Sequence, residues 1–370
     1  PDSQKVHVVC GMGLSPKGLD QSFFAENDIP LIPGDGYLGS CVPSVVGTWA
    51  LALRRFGRLS FEQILTPALK LAIRGFPMYE RLHNYLREEN DRIHRDYPST
   101  WELYYRDGEP VPVGEPVANE ALAKVFMHIV ESERSASGSK ASRIEAAERS
   151  FYEGWPAQAA VEYASENPVR DASGKEHTCF LTEQDFAEWH PSLEEPLAID
   201  YKGLRVHKCG PWTQGPVFLQ QLQILRNFDL SAMCHNSSRY VHILLETAKL
   251  AFADREAHYG DPDFHDVPLE NLLSAQYGAQ RAKLIGDAAV TGLQAGADCP
   301  EIHDIADVKA DAEYANRHSG DTTQLVTADS SGMMVTATPS GGWIRSNPVI
   351  PEVGFPLTTR GQMFYLNPNR

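Results

Sequence analysis

Residues 319–343, SGDTTQLVTADSSGMMVTATPSGGW, determine how this chain of 370 residues is organised. Two runs rich in β-branched residues flank a short polar turn that ends at Gly332, and this pattern predicts a β-hairpin. Thr322 and Thr323 stand where the first strand enters from a polar loop. A hydroxyl at such a strand edge is held by a rigid scaffold and is open to solvent. Threonine is also a good strand residue, so the pattern alone makes neither threonine catalytic.

The composition is that of a soluble globular protein, with 42% hydrophobic and 22% charged residues. A net charge of −16 argues against nucleic acid or an anionic membrane as the main partner. No window approaches the roughly 18 apolar residues that a membrane span needs. The six cysteines lack CxxC spacing, which indicates neither a zinc site nor a dense disulfide framework.

Apolar residues at helical spacing predict a helix-rich chain before the hairpin. For the helix predicted at 60–74, Ser60 is predicted to be the N-cap and Gly75 to end the helix. In the helix predicted at 240–259, the side chains of one apolar stripe are expected to face the core; they are Val241, Leu244, Leu245, Ala248 and Phe252. The predicted helices are 45–55, 60–74, 79–95, 120–133, 157–165, 220–228, 240–259 and 269–285.

Residues 34–39, GDGYLG, fit the dinucleotide-binding pattern GxGxxG. That pattern binds a nucleotide only where it follows a strand and opens a helix. Here Pro30 and Pro33 precede it and Pro43 follows it, so the sequence predicts a turn and no nucleotide site.

A threonine hydroxyl is a poor nucleophile unless a base lies beside it. If the chain is cut before Thr322, the new α-amino group supplies that base, because its pKa lies near about 7.7–8.0. Gly320 permits the strained backbone that drives an N-to-O acyl shift at Asp321. The sequence has no HExxH, CxxC, GxSxG or Walker A motif, which excludes the commonest metalloprotease, redox, α/β-hydrolase and P-loop classes.

The chain resembles the γ-glutamyltranspeptidase family of N-terminal nucleophile (Ntn) hydrolases. Matching motifs follow the family's order through nearly the whole chain, and in combination they are highly specific. They are Val42-Pro43-Ser44 with Trp49, Pro67-Ala68 with Gly75-Phe76-Pro77, Phe151-Tyr152-Glu153-Gly154, Gly215-Pro216 with residues 222–230, residues 246–255 with Gly260-Asp261-Pro262, and Asp321-Thr322-Thr323 with Asp329 and Gly332.

The resemblance implies an α+β fold, the αββα sandwich of Ntn hydrolases. A helix-rich large-subunit portion would span 1–321, and the start of a small subunit with the nucleophile-bearing strands would span 322–370, together forming one domain. Autoproteolysis between Asp321 and Thr322 is implied, and the two pieces are expected to remain associated. No metal and no organic cofactor is implied.

The resemblance also implies the reaction. Thr322 would be the catalytic nucleophile that attacks a γ-glutamyl donor such as glutathione, and water or an amine acceptor would resolve the acyl-enzyme. Ser340 falls where the family has a threonine that contacts the nucleophile, so we expect it to orient the Thr322 hydroxyl.

Two departures from the family concern the donor. Gly342 replaces an asparagine, and Met363 stands where the family's donor-binding segment has an acidic residue; Arg360 lies in the same segment, 358–364. A buried ammonium without a carboxylate partner is costly, and a nearby guanidinium repels it. Gly342 and Arg360 are therefore expected to contact substrate. Two donors stay open: γ-glutamyl amides, or dicarboxylic acyl chains of glutaryl type as in cephalosporin-acylase-like members.

The resemblance further implies segments outside this sequence. A Gly- and Ala-rich segment with a substrate-carboxylate arginine is expected before Pro1, and paired serines and the oxyanion-hole glycines are expected after Arg370. We therefore expect the sequence to be part of a longer enzyme, with an incomplete site as it stands. A function of a different class, that of an uncleaved, non-catalytic homologue kept for binding or structure, also stays open.

Overall fold

The computed structural model describes residues 3–292, 294–296, 322–342 and 344–366. Asp321 and Gly320, predicted to precede the scission point, lie outside these residues. The chain divides into two compact units. The hairpin unit comprises Val9–Ser192 and Ala310–Leu366, and the long-helix unit comprises Pro1–Val8, Leu193–Lys309 and Asn367–Arg370.

Helices make up most of the regular structure in the described part of the chain. None of them is long and apolar enough to cross a membrane. The helices are α1 Gln21–Glu26, α2 Val45–Arg55, α3 Phe61–Arg74, α4 Glu80–Glu88, α5 Asn90–Asp96, α6 Pro98–Tyr104, α7 Glu120–Ser135, α8 Lys140–Tyr152, α9 Trp155–Glu166, α10 Glu183–Glu188, α11 Gly215–Leu225, α12 Ser238–His258, α13 Leu269–Leu272 and α14 Ala275–Ala282, with 3-10 turns at Tyr37–Gly39, Leu230–Ala232 and Arg360–Met363.

The strands are short, and every sheet among the described residues has two of them. The helix-rich α+β fold class predicted from the sequence is confirmed. The strands are β1 Val8–Cys10, β2 Phe76–Pro77, β3 Tyr105–Arg106, β4 Glu109–Pro110, β5 Pro116–Val117, β6 Val169–Arg170, β7 Glu176–His177, β8 Ser192–Glu194, β9 Leu197–Tyr201, β10 Leu204–Lys208, β11 Leu325–Ala328 and β12 Met334–Ala337.

The boundaries of α3 follow from local chemistry and confirm the prediction. The Ser60 hydroxyl accepts the Gln63 N–H at 3.2 Å, and the Gln63 side chain accepts the Ser60 N–H at 3.0 Å, which forms a capping box. The helix ends at Gly75, whose φ of +85° favours glycine. By contrast, the helix predicted at 79–95 is two helices that meet at Glu89, and α8 was not predicted.

The core of the hairpin unit joins residues that are distant in sequence. Its N-terminal helices contribute Ala50, Leu86, Ile129 and Ile144, all with 2% exposure or less in the same hydrophobic cluster as residues from the C-terminal part of the unit. The C-terminal members of this cluster are Ile344, Ile350, Val353 and Leu357. Residues after the predicted scission point are therefore integral to this core.

The prediction for the core face of α12, in the long-helix unit, is wrong. The predicted apolar stripe lies largely outside the core: Leu245 is 60% exposed, and Val241 and Phe252 are also exposed. The buried face carries three polar residues among its apolar ones; its members are Ile243, Glu246, Thr247, Leu250, Ala251, Ala253 and Asp254.

Two of the polar residues on the buried face of α12, Glu246 and Asp254, bind the chain that follows α14. The Glu246 carboxylate accepts the Val290 N–H at 3.4 Å. The Asp254 carboxylate accepts the Gly296 N–H at 2.8 Å and pairs with the buried Arg281 guanidinium at 3.2 Å. Buried polar groups are tolerated when they are paired and hydrogen-bonded. A search for hydrophobic periodicity does not detect such pairing.

Candidate active site

The hairpin predicted from residues 319–343 is present in the hairpin unit. Strands β11 and β12 pair antiparallel, with Leu325 opposite Ala337. The Asp329 carboxylate stabilises the turn, because it accepts the Met333 N–H at 3.1 Å while the Asp329 N–H donates to the Met333 carbonyl at 3.0 Å. The hairpin prediction is confirmed.

Thr322 lies three residues before β11 and is exposed, and Ser340 lies three residues beyond the end of β12. The paired strands end at Leu325 and Ala337, so Thr322 and Ser340 lie on the two segments that lead into and out of the hairpin. Continued by three residues on each side, this register would bring Ser340 opposite Thr322. The pairing of the two hydroxyls stays a prediction.

Ser340 is held by Arg360, whose guanidinium donates a hydrogen bond to the Ser340 hydroxyl oxygen. A guanidinium has donors only, so the serine oxygen must accept in this bond. The Ser340 hydroxyl proton is then available to a separate acceptor. Arg360 is half-buried and begins the 3-10 turn Arg360–Met363, so its charge lies in a partly desolvated place.

Gly342 has φ of +78° and lies against two hydroxyls. A Cβ at this position would lie 2.6 Å from Thr359 Oγ1 and would also clash with Ser346 Oγ. Contacts this short require a neighbour to move, so an asparagine does not fit here while Ser346 and Thr359 keep their positions. The structure thus gives a physical reason for the departure from the family's asparagine.

The segment 340–342 lies beside the segment 358–360 in the hairpin unit. The Thr359 N–H donates to the Gly341 carbonyl at 2.9 Å. This contact brings together Ser340, Gly342 and Arg360, three of the residues singled out from the sequence. Met363, at the position of the expected acidic residue, is 56% exposed.

Two buried thiols lie near this place and are not competing nucleophiles. Burial raises the pKa of the Cys41 thiol to about 12, although the Gly361 N–H and the Arg360 charge favour the thiolate. Burial likewise raises the pKa of the Cys179 thiol to about 11. Both groups are therefore protonated at neutral pH, and a protonated thiol is neither a good nucleophile nor a good metal ligand.

Within the described ranges, no group of three or more His, Cys, Asp or Glu side chains is arranged to hold a metal ion. The stretch 261–266, which contains three aspartates and a histidine, forms an exposed turn. In that turn the Asp261 carboxylate accepts the Asp263 N–H at 3.0 Å, which is local turn chemistry.

Sequence reasoning missed the part that the glycine-rich loop 34–39 plays. The loop is a turn, as predicted, and it lies directly beside the segment that carries Arg360. The Cys41 N–H, just after the loop, donates to the Thr358 carbonyl at 3.3 Å. The glycines were the available signal, because a glycine with an ordinary φ often marks a close approach between two backbones.

The fold is that of the Ntn hydrolases. A solved structure of a protein named LmbA2991 is 36% identical to this chain, with a TM-score of 0.90 over 100% of this chain and 63% of the other. A cephalosporin acylase from Bacillus halodurans is 26% identical, with a TM-score of 0.79 over 99% of this chain and 60% of that one.

The family model described as Gamma-glutamyltranspeptidase matches residues 1–370, and the chain belongs to this family. A curated relative, the Glutathione hydrolase-like YwrD proenzyme of Bacillus subtilis (strain 168), is 33% identical over 78% of this chain and 50% of its own length. A Glutathione hydrolase proenzyme of the same strain is 29% identical over 88% of this chain and 52% of its own length. The chain thus spans about half the length of the curated relatives that it matches.

Proposed function

We propose that this chain belongs to an enzyme that cleaves itself between Asp321 and Thr322 and then transfers acyl groups through Thr322. The observation that supports the proposal is the β11–β12 hairpin, whose register, if continued, would bring Ser340 opposite Thr322, together with the hydrogen bond from Arg360 to the Ser340 oxygen. The names of both Bacillus relatives include the word proenzyme, which agrees with activation by cleavage.

The cleavage is an N-to-O acyl shift followed by hydrolysis. The Thr322 hydroxyl oxygen attacks the Asp321 carbonyl carbon, the peptide C–N bond breaks, and an ester forms. The hydroxyl proton passes to the leaving nitrogen, which becomes the free α-amino group of Thr322. Water then hydrolyses the ester, which leaves the Asp321 carboxylate and frees the Thr322 hydroxyl. Ser340, opposite in the continued register, is the orienting hydroxyl in this scheme.

In the mature enzyme, the α-amino group of Thr322 is the general base. Its pKa near about 7.7–8.0 leaves a useful neutral fraction at physiological pH. It takes the hydroxyl proton as the oxygen attacks the donor amide, and it returns that proton to the leaving amine. The resulting ester between the acyl group and Thr322 is resolved by water or by an acceptor amine, and neither step needs a metal or an organic cofactor.

The two pieces are expected to remain associated after cleavage. Four side chains that follow Thr322 are almost fully buried in the core of the hairpin unit; they are Ile344, Ile350, Val353 and Leu357. Burying an aliphatic side chain contributes about 1.5–3 kcal/mol, so these four contribute roughly 6–12 kcal/mol to holding the C-terminal piece.

A γ-glutamyl amide such as glutathione is the first candidate donor, in agreement with the names of the curated relatives. A dicarboxylic acyl amide of glutaryl type is the second, and Arg360 favours it. Two like charges about 5 Å apart at an effective dielectric constant of about 20 repel by ~3 kcal/mol. Because Arg360 is only half-buried, a donor ammonium beside it is disfavoured by about 1–2 kcal/mol after screening.

The donor is tested by comparing γ-glutamyl and glutaryl p-nitroanilides on the full-length protein. We expect kcat/KM to favour the glutaryl donor by roughly 5- to 30-fold, the equivalent of 1–2 kcal/mol. In the Arg360→Ala variant this preference should shrink, since the guanidinium that repels the ammonium is gone. Equal or better turnover of the γ-glutamyl anilide by the unaltered protein contradicts the glutaryl assignment and leaves glutathione-type donors.

A further inference from the structure

Two backbones cross at Gly39, in the glycine-rich loop, and Gly361, next to Arg360. A Cβ on Gly361 would lie 2.9 Å from the carbonyl oxygen of Gly39, and a Cβ on Gly39 would lie 3.2 Å from the carbonyl oxygen of Thr359. Because Cβ atoms essentially never approach other atoms within 3.0 Å, the crossing requires glycine at position 361 as the chain now lies. At Gly39 the contact under 3.0 Å is with the carbonyl oxygen of Pro33, at 2.9 Å, just before the glycine-rich loop.

A positive φ is not the reason that glycine occupies positions 39 and 361. Gly36, earlier in the same loop, has φ of +72°, whereas Gly39 and Gly361 are not among the glycines with positive φ. Alanine would therefore adopt either backbone without φ strain. At Gly361 the opposing backbone alone excludes a side chain, so an alanine there displaces the crossing and does little else.

Hydrogen bonds hold the glycine-rich loop 34–39 against the C-terminal part of the hairpin unit. The Cys41 N–H donates to the Thr358 carbonyl at 3.3 Å, and the Gly36 N–H donates to the Ser346 carbonyl at 2.7 Å. These bonds tie both ends of the loop to the C-terminal part of the hairpin unit. A displacement at the crossing therefore passes to the neighbouring residue, Arg360.

We propose that the crossing of Gly39 and Gly361 determines donor specificity, because it sets the Arg360 guanidinium beside Ser340, where it selects acyl chains that end in a carboxylate. The inference rests on the acyl transfer proposed above. A guanidinium binds a carboxylate through two parallel N–H···O bonds, whose geometry tolerates little displacement. The two glycines touch no substrate and act through Arg360, so they are positioning residues.

The test compares Gly361→Ala with the matched control Gly18→Ala. A Cβ at Gly18 meets nothing within 4 Å, and its φ is ordinary. Full-length variants are assayed with glutaryl- and butyryl-p-nitroanilide, which differ mainly in the terminal carboxylate. Gly361→Ala is expected to raise KM for the glutaryl donor about 10-fold and to leave kcat/KM for the butyryl donor within about 2-fold. The 10-fold figure reflects a displacement of the Arg360 guanidinium by less than 1 Å, because a displacement of 1 Å costs roughly 10²-fold. Gly18→Ala should change neither.

The Arg360→Ala variant, which lacks the guanidinium, distinguishes a positioning role of Gly361 from a merely structural one. In Arg360→Ala, adding Gly361→Ala should leave the glutaryl-to-butyryl ratio unchanged, because no guanidinium is left to misplace; the two changes are then non-additive. Gly39→Ala introduces a Cβ 2.9 Å from the Pro33 carbonyl oxygen and 3.2 Å from the Thr359 carbonyl oxygen. It should therefore also shift the crossing and lower the same ratio, which provides a second variant if Gly361→Ala does not fold.

Three results overturn the positioning role: equal losses on both donors, full additivity with Arg360→Ala, or an unchanged ratio in the variants that fold. A wild type without glutaryl preference, or misfolding of both glycine variants, overturns it as well. These outcomes leave the proposed acyl transfer standing when the wild type is cleaved and turns over an anilide. A wild type that stays intact and inactive on both donors contradicts the proposed function and this inference together.

Discussion

Replacing Ser340 by alanine tests the pairing of hydroxyls across the hairpin. The substitution removes the oxygen that accepts from the Arg360 guanidinium and the proton that we propose is donated to Thr322. A hydrogen bond to a charged group contributes about 1.5–3 kcal/mol. Because Arg360 is half-buried, we reduce this contribution to about 1–2 kcal/mol, which corresponds to roughly a 5- to 30-fold loss of rate.

The assay follows both reactions that the hydroxyl should orient. A mass-spectrometric time course measures the rate of self-cleavage in freshly purified full-length protein, and anilide turnover measures kcat in the mature fraction. Ser340→Ala is expected to slow both, whereas Ser340→Thr, which keeps the hydroxyl, should stay within about 3-fold of wild type on both. If Ser340→Ala cleaves itself and turns over anilide within 2-fold of wild type, the pairing of Ser340 with Thr322 is refuted.

Other consequences concern stability and pH. Ile350→Ala removes a side chain with no exposure and should lower the free energy of unfolding by about 2–5 kcal/mol in urea titration, whereas the control Val326→Ala, at a residue 69% exposed, should cost under about 0.5 kcal/mol. Asp254→Ala leaves the buried Arg281 unpaired and should cost about 3–5 kcal/mol; a loss under 1 kcal/mol would argue against a buried pair. Burial lowers the pKa of His258 below its usual 6.5, so the folded state resists protonation there and stability is lost as pH falls below about 6.5. The His258→Gln variant should lose less stability than the wild type between pH 7 and 5.5. The same pH profile of stability in both proteins would contradict the lowered pKa.

Local patterns in the sequence were sufficient where local chemistry fixes the structure. The capping box at Ser60 and the stop at Gly75 bound α3 without help from the rest of the chain. The hairpin was predictable for the same reason, because its turn is built by hydrogen bonds to the Asp329 carboxylate a few residues away.

Periodicity failed on α12 because it treats every apolar stripe as a core face. Leu245 of the predicted stripe is largely exposed, while Glu246 and Asp254 are buried. They are buried because each accepts a backbone N–H from the chain after α14, at Val290 and Gly296. Nothing in the local pattern of α12 encodes these partners, which lie 44 and 42 positions away.

The candidate site divides in the same way. The hairpin that carries Thr322 and Ser340 on its flanking segments was predictable, and the roles of the two hydroxyls stay predictions. The contact of Gly39 with Gly361 joins positions more than 300 residues apart, and its signal in the sequence was a glycine pattern typical of several unrelated structures. The family resemblance does not show how Arg360 is held, because that depends on a serine and a loop that meet only in the folded chain.

The most direct test of the account is to identify the N-termini present in the expressed full-length protein. Mass spectrometry of the wild type should show two pieces, one of which begins at Thr322, and Thr322→Ala should remain a single chain with the same fold by circular dichroism. The two wild-type pieces should co-elute on gel filtration, because residues on both sides of the cut share one core. An intact wild-type chain, or a cut that persists in Thr322→Ala, would contradict the claim that Thr322 is the nucleophile.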